Sequence, residues 1–327
     1  MTELEIVKFI GPQTSKKLQE KDITSILKLS TMSYEELLSV VNEGNINPIN
    51  QHQAKEIIYS AKELILAESN FLSFKDIKEY QDKIQMKIST GSIKVDNMLG
   101  GGIKTDSTSM ISGSASSGKT QFCFQIMVNC LKELERKVVY IETEPSIFSN
   151  QRFLDICNGT DYNLNQSEDC VIFPHRFVYD VDSQFSSYLK VEQLINDGLD
   201  VGLICIDSFT SLFRAKYRKR EQYPERSSEF SRHMSYLELL ASKYNVAILM
   251  TDQVMGTPDV SSQYTNLARY NDVVRPYGGS YLLHCPTLWL NVKQKSKKGY
   301  EVACVDSSEF AKNVAPFTIT KDGIRDL

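Results

Sequence analysis

Residues Gly113-Ser114-Ala115-Ser116-Ser117-Gly118-Lys119-Thr120 form a G-x-x-x-x-G-K-T run. No other segment restricts the fold as tightly. Its glycines free the backbone to curl N–H groups around phosphate oxygens. The lysine reaches the β- and γ-phosphates, and the threonine hydroxyl holds Mg²⁺. Such a loop works only between a strand and a helix. Ser109-Met110-Ile111 before it reads as a short buried strand, and the apolar segment Gln121 to Val128 after it reads as a helix packed on a sheet. A Gly/Ser-rich surface turn would not explain the apolar segments on both sides.

From residue 86 onward strands and helices alternate, which predicts the α/β class with a mostly parallel central sheet covered on both faces. Candidate strands are 109–111, 137–141, 170–173, 203–207, 246–251, 288–293, 301–306 and 316–320. Candidate helices lie near 120–134, 150–157, 191–197 and 223–244. The N-terminal part differs. Residues 1–66 read as a small all-helical domain, with apolar residues at helical spacing in Ile6-Val7-Phe9-Ile10 and in Ile26-Leu27-Leu29. Two helix–turn–helix pairs are its simplest arrangement. Phe9 to Leu18 suits a hairpin whose turn offers backbone N–H groups to a DNA phosphate; a plain protein-binding bundle fits the same residues. Residues 67–85 read as a polar linker carrying Phe71 and Phe74, either a packing anchor or a plug for a neighbour's groove. The third segment, 86–327, is the α/β core.

The chain has 327 residues and a net charge of −4. That balance argues against coating nucleic acid through bulk charge and leaves binding through local loops. No apolar run reaches about eighteen residues, and the first residues lack a secretory pattern, so an intracellular location without a membrane is expected. The seven cysteines include no C-x-x-C pair, and the four histidines are scattered. Reduced core cysteines are expected rather than disulfides or a zinc site.

A phosphate loop of this kind needs a carboxylate at the end of a neighbouring strand to organise Mg²⁺. The apolar run Val201 to Ile206 ends in Asp207. Hydrolysis also needs a group that orients or deprotonates water. Val138 to Ile141 leads to Glu142 and Glu144, which share one strand face at its carboxyl end, where ligands bind in open α/β sheets. Glu144 is the expected general base; Glu142 is expected behind it or in solvent. A third strand ends in Gln253, placed to sense a γ-phosphate. The long polar loop after it carries Tyr264, Arg269, Tyr270 and Arg275 and closes on Gly278-Gly279. Aromatics with arginines suit stacking and charge contacts to single-stranded nucleic acid. A second basic stretch follows Asp207, with Arg214, Arg218, Arg220 and, further on, Arg226; phosphate contacts are expected there.

Together these residues resemble the RecA-fold strand-exchange recombinases, in the branch of archaeal RadA and the eukaryotic recombinases of repair and meiosis. Ser89-Thr90-Gly91-Ser92, Leu99-Gly100-Gly101-Gly102-Ile103, the loop extended by Gln121, Phe213-Arg214-Ala215 with Arg220 and Arg226, Thr251-Asp252-Gln253-Val254, Arg275-Pro276-Tyr277-Gly278-Gly279 and Ile319 to Asp326 carry it. The resemblance covers about Ile88 to the C-terminus, with a weaker echo in the N-terminal helices. It implies a RecA-like core preceded by a helix-hairpin-helix-like domain. It implies ATP and Mg²⁺ as cofactors, with Lys119, Glu144 and Gln253 catalytic and Thr120 and Asp207 at the metal. Gly113 to Gln121 and Arg152 are expected at the nucleotide. It further implies a DNA-dependent ATPase that forms a homo-oligomeric filament or ring on single-stranded DNA, pairs it with double-stranded DNA and exchanges strands. Phe71, Phe74, His284 and Asp306 fall at its subunit interface. The location is the nucleus for a eukaryotic source and the cytoplasm for an archaeal one.

Some residues depart from the family pattern. Ser114 and Ala115 stand where the family carries Glu and an aromatic. Phe74 stands where the linker plug has alanine, Pro145-Ser146-Ile147-Phe148 is one residue longer than the family's Gly-Thr-Phe, and Asp306-Ser307-Ser308 lacks a proline. These changes touch the nucleotide site and the subunit interface. They motivate a second reading: a recombinase paralogue that binds ATP, joins a hetero-complex with another recombinase-like chain and assembles the active recombinase.

Overall fold

A computed structural model of the chain describes residues 3–44, 48–68, 74–144, 148–163, 171–174, 178–253 and 284–327. The chain divides into two compact units, Met1–Gln85 with Gln193–Leu199, and Met86–Glu192 with Asp200–Leu327.

In the first unit a 3-10 turn (Glu3–Ile6) precedes α1 (Pro12–Glu20), α2 (Ile26–Ser30), α3 (Tyr34–Asn42), α4 (Gln51–Glu68) and α5 (Phe74–Ile84). The apolar spacing at Ile6 to Ile10 suggested a helix there. Phe9 instead adopts φ 66°, and α1 starts only at Pro12, whose fixed φ suits the first helical position. Leu4, Val7, Ile10, Leu18, Leu29, Leu37, Val41, Ile57 and Ala61 close into one small core. Ser33 and Glu36 form a capping box on α3, each side chain bonding the other's backbone N–H at 3.1 and 3.0 Å. Asn42 clamps the following turn by bonding both the O and the N of Ile49, at 2.9 and 2.8 Å. Helix α5 lies within the stretch read as a linker. Its apolar residues Phe74, Ile77 and Ile84 recur at helical spacing, which the polar composition of the stretch obscures.

The second unit opens with β1 (Lys87–Ile88) and β2 (Ile103–Lys104), an antiparallel pair around α6 (Ile93–Met98). Then come β3 (Ser107–Gly113), α7 (Lys119–Asn129), β4 (Lys137–Glu142), α8 (Asn150–Gly159), β5 (Val171–Ile172) and α9 (Val181–Asn196), the last four residues of which belong to the first unit. They are followed by β6 (Val201–Asp207), α10 (Ser211–Lys216), α11 (Tyr223–Tyr244), β7 (Ala247–Gln253), β8 (Leu288–Gln294), β9 (Tyr300–Ser307), β10 (Val314–Thr320) and β11 (Gly323–Asp326). Helix α9 starts well before residue 191; its polar first half, Val181 to Lys190, hid it. The main sheet runs β11-β10-β9-β8-β3-β7-β6-β4-β5. Strands β8, β3, β7, β6, β4 and β5 are parallel neighbours. The three remaining strands at one edge are antiparallel. Connection length explains the split. Helical crossovers link β3 to β4, β4 to β5, β5 to β6 and β6 to β7, whereas Lys321-Asp322 alone joins β10 to β11, which permits only an antiparallel hairpin.

Side-chain alternation divides the core between the two sheet faces. Phe122, Ile126, Tyr140, Cys205, Leu249 and Leu290 belong to a cluster with α7 and α8. Ile204, Ile206, Ile248 and Met250 point to the opposite face and are equally buried. On that side Phe209, Phe213 and Phe230 stack with centroids 4.3–5.8 Å apart, joining α10 to α11.

Candidate nucleotide site

Four parallel strands bring their carboxyl ends to one edge. The register aligns Gly113 with Gln253 and Glu142 with Asp207. The phosphate loop leaves β3 there and turns into α7, whose first turn offers unpaired N–H groups and the positive end of the helix dipole. Glycine is required at both ends of the loop. A Cβ on Gly113 would lie 2.6 Å from the Val292 carbonyl oxygen, and Gly118, at φ 101°, would press one to 2.7 Å from Ile319 Cδ1. The hydroxyl of Ser117 is buried without a hydrogen-bond partner. A tight glycine-lined backbone cradle with an unsatisfied hydroxyl fits a bound polyphosphate.

Lys119 Nζ donates to the carbonyl oxygens of Gly113 and Ser114 at 3.0 and 2.9 Å. Burial pushes its ammonium below the ordinary lysine range, while Asp207, Asp252 and Glu144 oppose that shift. Neutral carbonyls compensate a desolvated ammonium poorly, so this nitrogen favours anionic oxygens.

Asp207 is 3% exposed. Its Oδ2 accepts from Thr120 Oγ1 at 2.8 Å and from the Tyr140 hydroxyl at 3.0 Å, and its Oδ1 accepts from Thr251 Oγ1 at 2.5 Å. The hydroxyl–carboxylate pair of Thr120 and Asp207 beside the loop is an oxygen donor set that suits a hard divalent cation. Thr143 joins the β4 and β6 ends: its N–H donates to the Asp207 carbonyl at 3.0 Å and its hydroxyl to the Ser208 carbonyl at 2.6 Å. Asp252 is fully buried and accepts from the Thr210 hydroxyl, which ties β7 to the start of α10.

Glu144 is half-buried just beyond β4, close enough that its charge acts on Lys119. Glu142 instead accepts the Phe148 N–H at 3.0 Å and so fastens the returning chain. Gln253 Oε1 accepts from Arg214 Nη2 at 3.3 Å, so the first residue of the basic stretch touches the glutamine at the loop. Arg152 bonds Gln121 Oε1 at 2.5 Å and the Thr320 carbonyl at 2.8 Å, linking the helix after the loop to the β10–β11 turn. His284 Nδ1 lies 3.1 Å from Asp306 Oδ2, with both side chains exposed.

The expected DNA-contacting residues divide. Arg218 and Arg220 are exposed, Arg218 donating to the Ala215 carbonyl at 3.1 Å. Arg226 is 7% exposed, with its guanidinium 4.1 Å from the Tyr223 ring centroid. Tyr264, Arg269, Tyr270, Arg275, Gly278, Gly279 and Phe71 lie outside the described residues, as does the side chain of Phe74. The motif reading missed Tyr140 and Thr251. Their signal was positional: each lies on a strand flanking β6, in register to face the same side as Asp207.

A phosphate loop set against a strand-end aspartate, on a mostly parallel sheet with an antiparallel edge, defines a RecA-like P-loop core. Residues 81–327 match the family model described as Rad51. The chain belongs to the Rad51 family. It is 31% identical to the "DNA repair and recombination protein RadA" of Ignicoccus hospitalis over 97% of this chain and 93% of that protein. It is 32% identical to the protein of the same name from Aeropyrum pernix, over 97% of this chain and 94% of that protein. Among the described residues, no helix is long and apolar enough to cross a membrane.

Proposed function

We propose that the chain is a recombinase of DNA repair and recombination, which assembles on single-stranded DNA with ATP and drives homologous pairing and strand exchange. The carrying observation is the Arg214–Gln253 contact of 3.3 Å at the strand edge that holds Thr120 and Asp207. It connects a phosphate-sensing position to a basic segment suited to a DNA backbone. Family membership and the names of the two relatives support the same reading.

In this reading Gly113 to Thr120 wrap the triphosphate, and Lys119 exchanges its two carbonyl partners for phosphate oxygens. Thr120 and Asp207 would hold Mg²⁺, which would supply charge neutralisation for the phosphates. Glu144 orients the attacking water and takes its proton. Gln253 meets the γ-phosphate and, through Arg214, changes how the basic stretch is presented to DNA. Arg218 and Arg220 supply sequence-independent phosphate contacts. An oligonucleotide strand-exchange assay tests the reading: the purified protein with ATP and Mg²⁺ transfers a labelled strand into homologous duplex. Nucleotide binding with neither DNA-stimulated hydrolysis nor strand transfer refutes it.

Of the departures that motivate the mediator reading, one is seen in the described loop. Ser114 and Ala115 are exposed and small at the mouth of the loop, where family members present Glu and an aromatic. A mediator forms only short oligomers alone and binds a second recombinase-like chain tightly. Long filaments of the purified protein with a non-hydrolysable ATP analogue, seen by negative-stain microscopy, count against it.

A further inference from the structure

Asp207 sits on β6 between β7 and β4, and each flanking strand presents a hydroxyl to it. Asp207 pairs with Glu142 across to β4, so Tyr140, two residues back, faces the same side. On the other side Ile206 pairs with Met250, so Thr251 lies beside Asp207. The contacts follow from that register: Tyr140 hydroxyl to Oδ2 at 3.0 Å and Thr251 Oγ1 to Oδ1 at 2.5 Å. Both donors are fully buried.

We infer that Tyr140 and Thr251 are positioning residues that hold the Asp207 carboxylate in the rotamer in which it also receives Thr120, and thereby set the affinity of the site for a divalent cation. The inference rests on the assignment of Thr120 and Asp207 to the metal. A carboxylate fixed at both oxygens before the cation arrives loses little rotamer freedom on binding it. Hydrogen bonds to a ligating carboxylate commonly change metal affinity by about 10- to 100-fold when removed.

Ring and hydroxyl can be separated at Tyr140. Phe148 at 5.2 Å and Phe124 and Phe173 at 6.0 Å cage the ring without using its oxygen. Tyr140→Phe therefore keeps the packing and deletes only the donor. Thr251→Val is isosteric, and its backbone carbonyl still accepts the Phe209 N–H, at 2.9 Å in this fold. Thr251→Ser retains the hydroxyl.

The test titrates Mn²⁺ into the full chain with saturating ADP, read by electron paramagnetic resonance. A fluorescent nucleotide titration in EDTA runs beside it. Tyr140→Phe and Thr251→Val each weaken Mn²⁺ binding by about tenfold or more, leave the metal-free nucleotide affinity unchanged, and Thr251→Ser restores the wild-type value. Wild-type Mn²⁺ affinity in both variants overturns the inference. So does an equal loss of nucleotide affinity in EDTA, which would mark a general loosening of the strands. A wild-type protein that binds nucleotide but no Mn²⁺ beside it overturns the metal assignment itself, and the inference with it.

Discussion

Replacing Lys119 by methionine separates what this residue does for nucleotide from what it does for the fold. Methionine keeps most of the apolar stem and removes the ammonium. In the free protein that ammonium has two neutral partners, the carbonyls of Gly113 and Ser114 at 3.0 and 2.9 Å, and burial disfavours its charge. The hydrogen bonds gained and the desolvation cost lie within about 1 kcal/mol of each other, so Lys119→Met shifts the nucleotide-free melting temperature by only about 2–4 °C. In the proposed site the same nitrogen bonds the anionic oxygens of a triphosphate. A hydrogen bond to a charged group contributes about 1.5–3 kcal/mol, so losing one or two weakens binding by about 3 kcal/mol, roughly 100-fold in Kd. Calorimetric titration of wild type and Lys119→Met with a slowly hydrolysed ATP analogue at fixed Mg²⁺ measures the difference, and a melting scan of each free protein checks the fold. A Kd within about threefold of wild type, a difference under about 1 kcal/mol, refutes the placement of Lys119 at the phosphates. A weaker Kd accompanied by a large fall in melting temperature refutes the separation of the two roles.

Two further outcomes follow from the same geometry. Replacing Arg218 and Arg220 by alanine lowers affinity for single strands of any sequence and flattens the dependence of log K on log salt by about 0.7 per lost contact; an unchanged slope places these arginines away from the DNA. His233 is fully buried among Phe185, Tyr188, Phe209 and Phe213, and burial pushes its pKa down from 6.5 to about 3. The unfolded chain then takes up a proton below about pH 6.5 that the folded chain refuses, so this stabilisation is complete above that pH and declines as pH falls. Between pH 7 and pH 5 the loss is about 2 kcal/mol. Denaturant midpoints of wild type and His233→Phe at the two pH values test it, and an equal pH response in both proteins rejects the assignment.

The sequence was most legible where chemistry dictates residue type. A phosphate cradle needs glycine at positions 113 and 118 and lysine at 119, and a cation needs an acid at a strand end, so those residues stood out without any structure. The parallel sheet was legible for a related reason: strands buried on both faces read as apolar runs, as in the Val201–Ile206 part of β6 and the Ala247–Met250 part of β7. What stayed hidden depends on register or on a neighbour's ring. Tyr140 and Thr251 are ordinary strand residues by composition, and only the pairing of β4, β6 and β7 makes them partners of Asp207. Sequence places Arg226 with the arginines expected at DNA phosphates, but it does not show that the guanidinium lies 4.1 Å from the ring of Tyr223, three residues earlier on α11, with the residue 7% exposed. The hairpin between β10 and β11 turns on Lys321-Asp322, and Gly323, at φ 112° where a side chain would be strained, opens β11 directly after it. The same distinction explains the division within the proposed DNA surface. Charge alone is a property of sequence, but whether a charge reaches solvent is decided by the turn of a helix. Arg218 and Arg220 precede α11, whereas Arg226 lies in its first turns, on the side that packs inward.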